Sequence, residues 1–132
     1  MAAEAVLDTS AIMAVLEDEP ERAKVTEMLA NARGGSGTIY APFVALMEVE
    51  YKLLRRVGLE RTEAAMSLLE GWPVQIVESN PSWRRQAAAI KSRGHLSLAD
   101  AWMAGLAMLL KAELVHKDPE FDSVPGLKSA RL

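Results

Sequence analysis

Short apolar runs alternate with longer stretches of helical periodicity along almost the whole chain, and this alternation restricts the fold more than any other feature. The first run, Ala5–Leu7, is short enough for a buried strand and ends in Asp8, with Thr9 or Ser10 placed to cap a helix over Ala11–Leu16. Further strands are expected at Thr38–Ala41, Pro73–Val77 and Leu114–His116, with a marginal edge strand at Leu127–Ala130. Helical spacing covers Pro20–Asn31, Pro42 to about Arg56 with a stop at Gly58, Glu60–Glu70 closed by Gly71, Pro81–Ser92 and Ser97–Lys111. Gly34–Gly37 reads as a turn, and Phe121–Gly126 as a loop. Strands joined through helices make βαβ units, and so an α/β domain with a parallel sheet. In such sheets ligands collect outside the carboxyl ends of the strands, where Asp8 lies.

The totals fit one domain over residues 1–132: half the residues are apolar, enough for a single core. A net charge of −3 gives no strong electrostatic sign of a nucleic-acid partner. The absence of cysteine excludes disulfides, thiolate catalysis and cysteine-based zinc sites. The structured pattern begins by Ala5, leaving no room for a signal peptide, and the longest uncharged apolar run, Ala101–Leu110, is too short to span a membrane. A soluble, cytoplasmic protein is expected.

The helix from Pro42 carries an apolar stripe of Val44, Met47, Tyr51 and Leu54 with Glu48 inside it, and a second stripe of Leu46, Val49 and Leu53. A helix apolar on two faces is covered on two sides, and the second cover is expected to be another copy, giving a homodimer. Ala64, Ala65, Leu68 and Leu69 are expected inward on Glu60–Glu70, as are Leu98, Ala101, Trp102, Gly105, Leu106 and Leu109 on the helix after Ser97. Trp83 and Trp102 fall at core positions rather than as base-stacking platforms.

Most acids lie in turns or on solvated helix faces; Asp8, Glu48, Asp100 and Asp118 do not. Each also has a local role open to it. Asp8 can cap a helix, Asp100 with Ser97 matches a capping box, Glu48 can pair with Lys52, and Asp118 precedes a proline in a turn. Taken jointly they point elsewhere. If the strands before Asp8 and Asp118 are parallel neighbours, both acids leave the same sheet edge, and the helix start bearing Asp100 can face it. Two carboxylates about 4 Å apart repel by roughly 4 kcal/mol at an effective dielectric of 20. Several together need a hard divalent cation such as Mg²⁺ or Mn²⁺ between them.

The segments L-D-T-S-A at Leu7–Ala11, A-P-F-V-A-L-M-E-V at Ala41–Val49, L-S-L-A-D-A at Leu96–Ala101 and H-K-D-P-E-F at His116–Phe121 resemble the PIN-domain ribonucleases, most closely the toxins of VapBC toxin–antitoxin pairs. The likeness covers essentially the whole chain in matching order. It implies a five-stranded parallel sheet flanked by helices and a quartet of Asp8, Glu48, Asp100 and Asp118 that binds Mg²⁺ or Mn²⁺ and cleaves RNA. Asp8, Asp100 and Asp118 would hold the ion while Glu48 orients or deprotonates the attacking water. Thr9 and Ser10 would be polar neighbours, Asp122 an outer acid. The chain departs from the family at His116, where a serine or threonine is usual, which puts an imidazole in place of a hydroxyl contact to metal or phosphate. Lys52, Arg55, Arg84, Arg85, Lys91 and Arg93 are candidates to grip RNA phosphates, with solvated helix faces as the alternative. The resemblance also implies a cognate antitoxin protein. Two competing readings are a phosphoryl-transfer or receiver-like protein using Asp8, and a non-catalytic binding module. A D-x-D dehalogenase motif would need an acid where Ser10 stands.

Overall fold

Strand β1, Glu4–Leu7, forms the centre of the molecule in a computed structural model that describes residues 3–132. Val6 and Leu7 are completely buried, as a strand covered by helices on both faces must be. Its parallel partners are β2 (Thr38–Pro42) on one side and β4 (Glu113–His116) on the other; β3 (Gln75–Val77) and β5 (Ser129–Arg131) form the edges. The order is β3-β2-β1-β4-β5, all parallel. Receiver domains run β2-β1-β3-β4-β5, so the receiver-like alternative does not match this sheet. The topology grows outward from β1 in both directions, which puts the switch point between β1 and β4. Leu7 pairs with Val115 in register, so both strands deliver their following residues to one edge.

The connecting helices are α1 (Thr9–Leu16), α2 (Arg22–Arg33), α3 (Phe43–Glu70), α4 (Pro81–Arg93) and α5 (Leu98–Leu110). No helix among the described residues is long and apolar enough to cross a membrane. Several boundaries differ from the sequence reading. Pro42 closes β2 and caps α3 instead of opening the helix, and α2 begins at Arg22, after a turn that takes up Pro20. The last strand begins at Ser129, and the loop from Phe121 includes a 3₁₀ turn over Pro119–Ser123. Helix α3 continues past the expected stop, but Gly58 breaks its helical geometry at φ +83°, ψ 177°. Only glycine adopts that conformation without strain, so the sequence boundary survives as a kink.

Burial corrects three helix faces. On α3 the core takes Ala45, Val49 and Leu53, whereas Met47 (65% exposed) and Leu54 (42%) face out. On its second arm Leu69 is buried but Leu68 and Ala64 are exposed; on α5 Leu98 and Leu109 are exposed while Ala101, Gly105 and Leu106 are buried. Phe43, Trp83 and Trp102 pack edge to face at 4.8–5.5 Å between ring centres, and the Trp83 Nε1–H donates to Trp102 O at 2.8 Å. This trio ties the start of α3 to α4 and α5, and so fixes Glu48 relative to Asp100.

Candidate active site at the switch point

Asp8 leaves β1 and caps α1. Its Oδ1 accepts from Ser10 N (2.8 Å), Ser10 Oγ (2.5 Å) and Ala11 N (3.2 Å). Thr9 and Ser10 lie inside the helix, so neither is the cap. The capping role and the site role prove compatible, because all three bonds use one carboxylate oxygen and Oδ2 accepts none among the described residues. Asp8 is only 5% exposed, and burial raises its pKa despite these donors, with Glu48 adding like charge.

Ser10 and Thr9 serve as struts. The Ser10 hydroxyl also accepts from Lys117 N at 3.1 Å, joining the end of β1 to the end of β4. The buried Thr9 hydroxyl donates to Glu48 Oε1 at 2.6 Å and draws α3 onto the same edge. Ser97 caps α5 by accepting from Asp100 N at 3.1 Å, and Asp100 stands in the first turn, at the positive end of that helix. Burial lifts the Asp100 pKa from 3.8 to about 6; Ser97 opposes the shift, and Asp8, Asp118 and Glu48 add to it. Three of the acids named from sequence thus lie close enough to the fourth, Asp100, to act on its carboxyl.

A fifth acid joins them. Asp100, Asp118 and Glu120 each offer an oxygen within 4.8 Å of the others. Glu120 N donates to Asp118 Oδ1 at 2.9 Å, so the 3₁₀ turn that follows β4 folds Glu120 back beside Asp118. The sequence reading passed over Glu120 within H-K-D-P-E-F; its spacing of two from Asp118 across a proline was the available sign. Asp122 goes elsewhere, exposed beside Arg131 at 3.7 Å, outside this cluster.

His116 departs from expectation. It is fully buried, stacks edge-on against Phe121 at 4.8 Å, and its Nδ1 accepts from Asp118 N at 3.1 Å. A serine or threonine oxygen makes the same bond to the amide two residues on in an ST turn. The imidazole thus supports the Asp118 loop through its backbone. Its Nε2 has no hydrogen-bond partner among the described residues, and burial lowers its pKa.

None of Asp8, Glu48, Asp100, Asp118 and Glu120 has a basic partner among the described residues. Lys117, next to Asp118 in sequence, instead pairs with Glu21 at 3.0 Å and Glu19 at 3.4 Å. Of the candidate phosphate contacts, Arg55 lies over the Tyr51 ring at 5.1 Å and Lys52 is half-buried on α3. Arg84, Arg85, Lys91 and Arg93 are exposed on α4.

The family model of the PIN domain matches residues 5–127. The chain belongs to the PIN domain family. No curated protein matches it in sequence. Among solved structures, this PIN domain superposes on VapBC2 from Rickettsia felis bound to a promoter DNA fragment with a TM-score of 0.83, at 16% identity and 98% coverage of both chains. VapC20 from Mycobacterium tuberculosis, a sarcin–ricin-loop-cleaving toxin, gives a TM-score of 0.74 at 18% identity, covering 97% of this chain and 99% of that one. FitAcB from Neisseria gonorrhoeae gives 0.71 at 14% identity and 95% coverage of both. These likenesses establish a shared fold over nearly the whole PIN domain.

Proposed function

We propose that this PIN domain is a ribonuclease that hydrolyses RNA phosphodiester bonds with Mg²⁺ or Mn²⁺, acting as the toxin of a toxin–antitoxin pair. The observation that carries this reading is the gathering of Asp8, Glu48, Asp118 and Glu120 around Asp100 at the switch point, with no basic partner among the described residues. All-oxygen donors suit a hard divalent ion and disfavour softer metals. When bound, such an ion acidifies water and stabilises charge developing on phosphate oxygens.

Asp8, Asp100 and Asp118 would hold the ion, and Glu120 would add a further donor beside Asp118. Ser10 fixes Asp8, and His116 fixes the backbone of Asp118. Glu48, oriented through Oε1 by the Thr9 hydroxyl, accepts the proton of the attacking water. Similarity to a VapC toxin and to VapBC assemblies supports RNA as substrate and a cognate antitoxin as partner. Met47, Leu54 and Val57 remain exposed on α3, which supports a homodimer covering that face; a monomer in analytical ultracentrifugation contradicts it.

Purified protein should cut RNA with Mn²⁺, stop with EDTA, and lose cleavage as Asp8→Asn while remaining folded, since asparagine also caps helices. Cleavage that persists in both EDTA and Asp8→Asn overturns the reading.

A further inference from the structure

A groove of about 310 Å³ runs along the seam between α4 and α5, whose first turn also carries Asp100 of the acidic cluster. Ala88, Ala101 and Trp102 line its floor, and Arg84 and Lys91 stand on its rim. The helices meet through residues 94–97, so Lys91 and Leu98 lie at the end nearest Asp100. Leu98 and Ala101 belong to the same first turn of α5 as Asp100. Leu98, 68% exposed, borders the groove. Trp102, expected from its spacing to be a core residue and not a base-stacking platform, is only half-buried and lines the groove, held by edge-to-face contacts with Trp83 and Phe43. Neither Arg84 nor Lys91 forms an ion pair among the described residues, and no carboxylate lines the groove.

From these features we infer that the α4–α5 groove is a nucleobase subsite for single-stranded RNA flanking the cleaved bond. This deepens the ribonuclease reading and rests on it. A single strand offers a flat apolar face on each base and an anion at each link. The groove pairs an apolar lining that includes the Trp102 ring with two unpaired cations, set roughly 11 Å apart along α4 by their seven-residue separation. An apolar protein segment would match the floor but leave both cations without a counter-charge. The acids next door repel phosphate, so a substrate needs basic contacts placed to one side, and the groove supplies them.

The test is fluorescence anisotropy of a short labelled single-stranded RNA in EDTA across a range of salt concentrations, with Mn²⁺-dependent cleavage measured alongside. Ala88→Trp fills the groove and should weaken binding about tenfold, the loss expected for one stacked base. The double variant Arg84→Ala/Lys91→Ala lies on an exposed face and should keep its melting temperature. It should lower the slope of log affinity against log salt by about 1.4, at ~0.7 per lost phosphate contact. Wild-type binding and salt slope in both variants, with Mn²⁺-dependent cleavage intact, overturns the subsite but leaves the ribonuclease reading standing. Loss of antitoxin binding with RNA affinity unchanged also overturns it, in favour of a protein occupant. No RNA binding by the unaltered chain overturns both readings.

Discussion

Burial, reinforced by Asp8, Asp118 and Glu48, lifts the Asp100 pKa to about 6 against an ordinary 3.8. The sign of its effect on stability follows from linkage. The fold prefers the protonated acid, so its contribution is fully present below about pH 3.8 and is lost as pH rises through about 6. Metal-stripped protein should therefore melt at lower temperature at pH 7 than at about pH 4.5, as far as this group governs the change. Asp100→Asn should raise the metal-free melting temperature near neutral pH and flatten that pH dependence; a lower melting temperature in the variant contradicts the repulsion. His116 makes a separate prediction. His116→Asn can keep an acceptor for Asp118 N and should retain divalent-ion affinity, while His116→Leu removes it and should weaken that affinity, as calorimetry would read; equal affinities in the two variants exclude the positioning role. At this scale Asp8, Glu48, Asp100 and Asp118 were legible because each broke a local pattern: a strand end, an apolar stripe, a buried helix start. Glu120 was not, because an exposed acid in a proline turn breaks none. The direction of the His116 ring depends on tertiary packing against Phe121, which spacing cannot convey.

The elements matter through how closely they approach. A Cβ built on Gly105 of α5 would meet Ala87 Cα and N of α4 at 3.0 Å, so these helices touch backbone to backbone. Gly105→Ala should force α4 away and cost about 1–3 kcal/mol in urea unfolding, in spite of the better helix propensity of alanine. A stabilised variant would mean that the seam has slack. The same seam forms the floor of the groove, so any displacement should also show in RNA affinity. Strand and helix order was legible throughout, because periodicity reports which residues alternate. The inward face of α3 was not. Glu48 lies at the boundary between the buried Ala45–Val49–Leu53 stripe and the exposed Met47–Leu54 stripe, and helical spacing alone assigns it equally to either. Gly58 illustrates a middle case: the residue signalled a break, and the chain kinked instead of stopping.

Across the whole molecule, the parallel order β3-β2-β1-β4-β5 collects acids from chain segments more than a hundred residues apart. The bond from Lys117 N to the Ser10 hydroxyl closes that distance, and Lys117 itself is drawn away to Glu19 and Glu21. The site is thus left with a concentration of negative charge that the fold does not balance, in a position where α/β sheets bind ligands. Calorimetric titration of Mn²⁺ into metal-stripped protein at about pH 7.5, above the raised Asp100 value of about 6, tests this directly. The account predicts saturable binding, abolished in Asp8→Asn and weakened in Glu120→Gln; no binding, or equal binding in all three proteins, would contradict it.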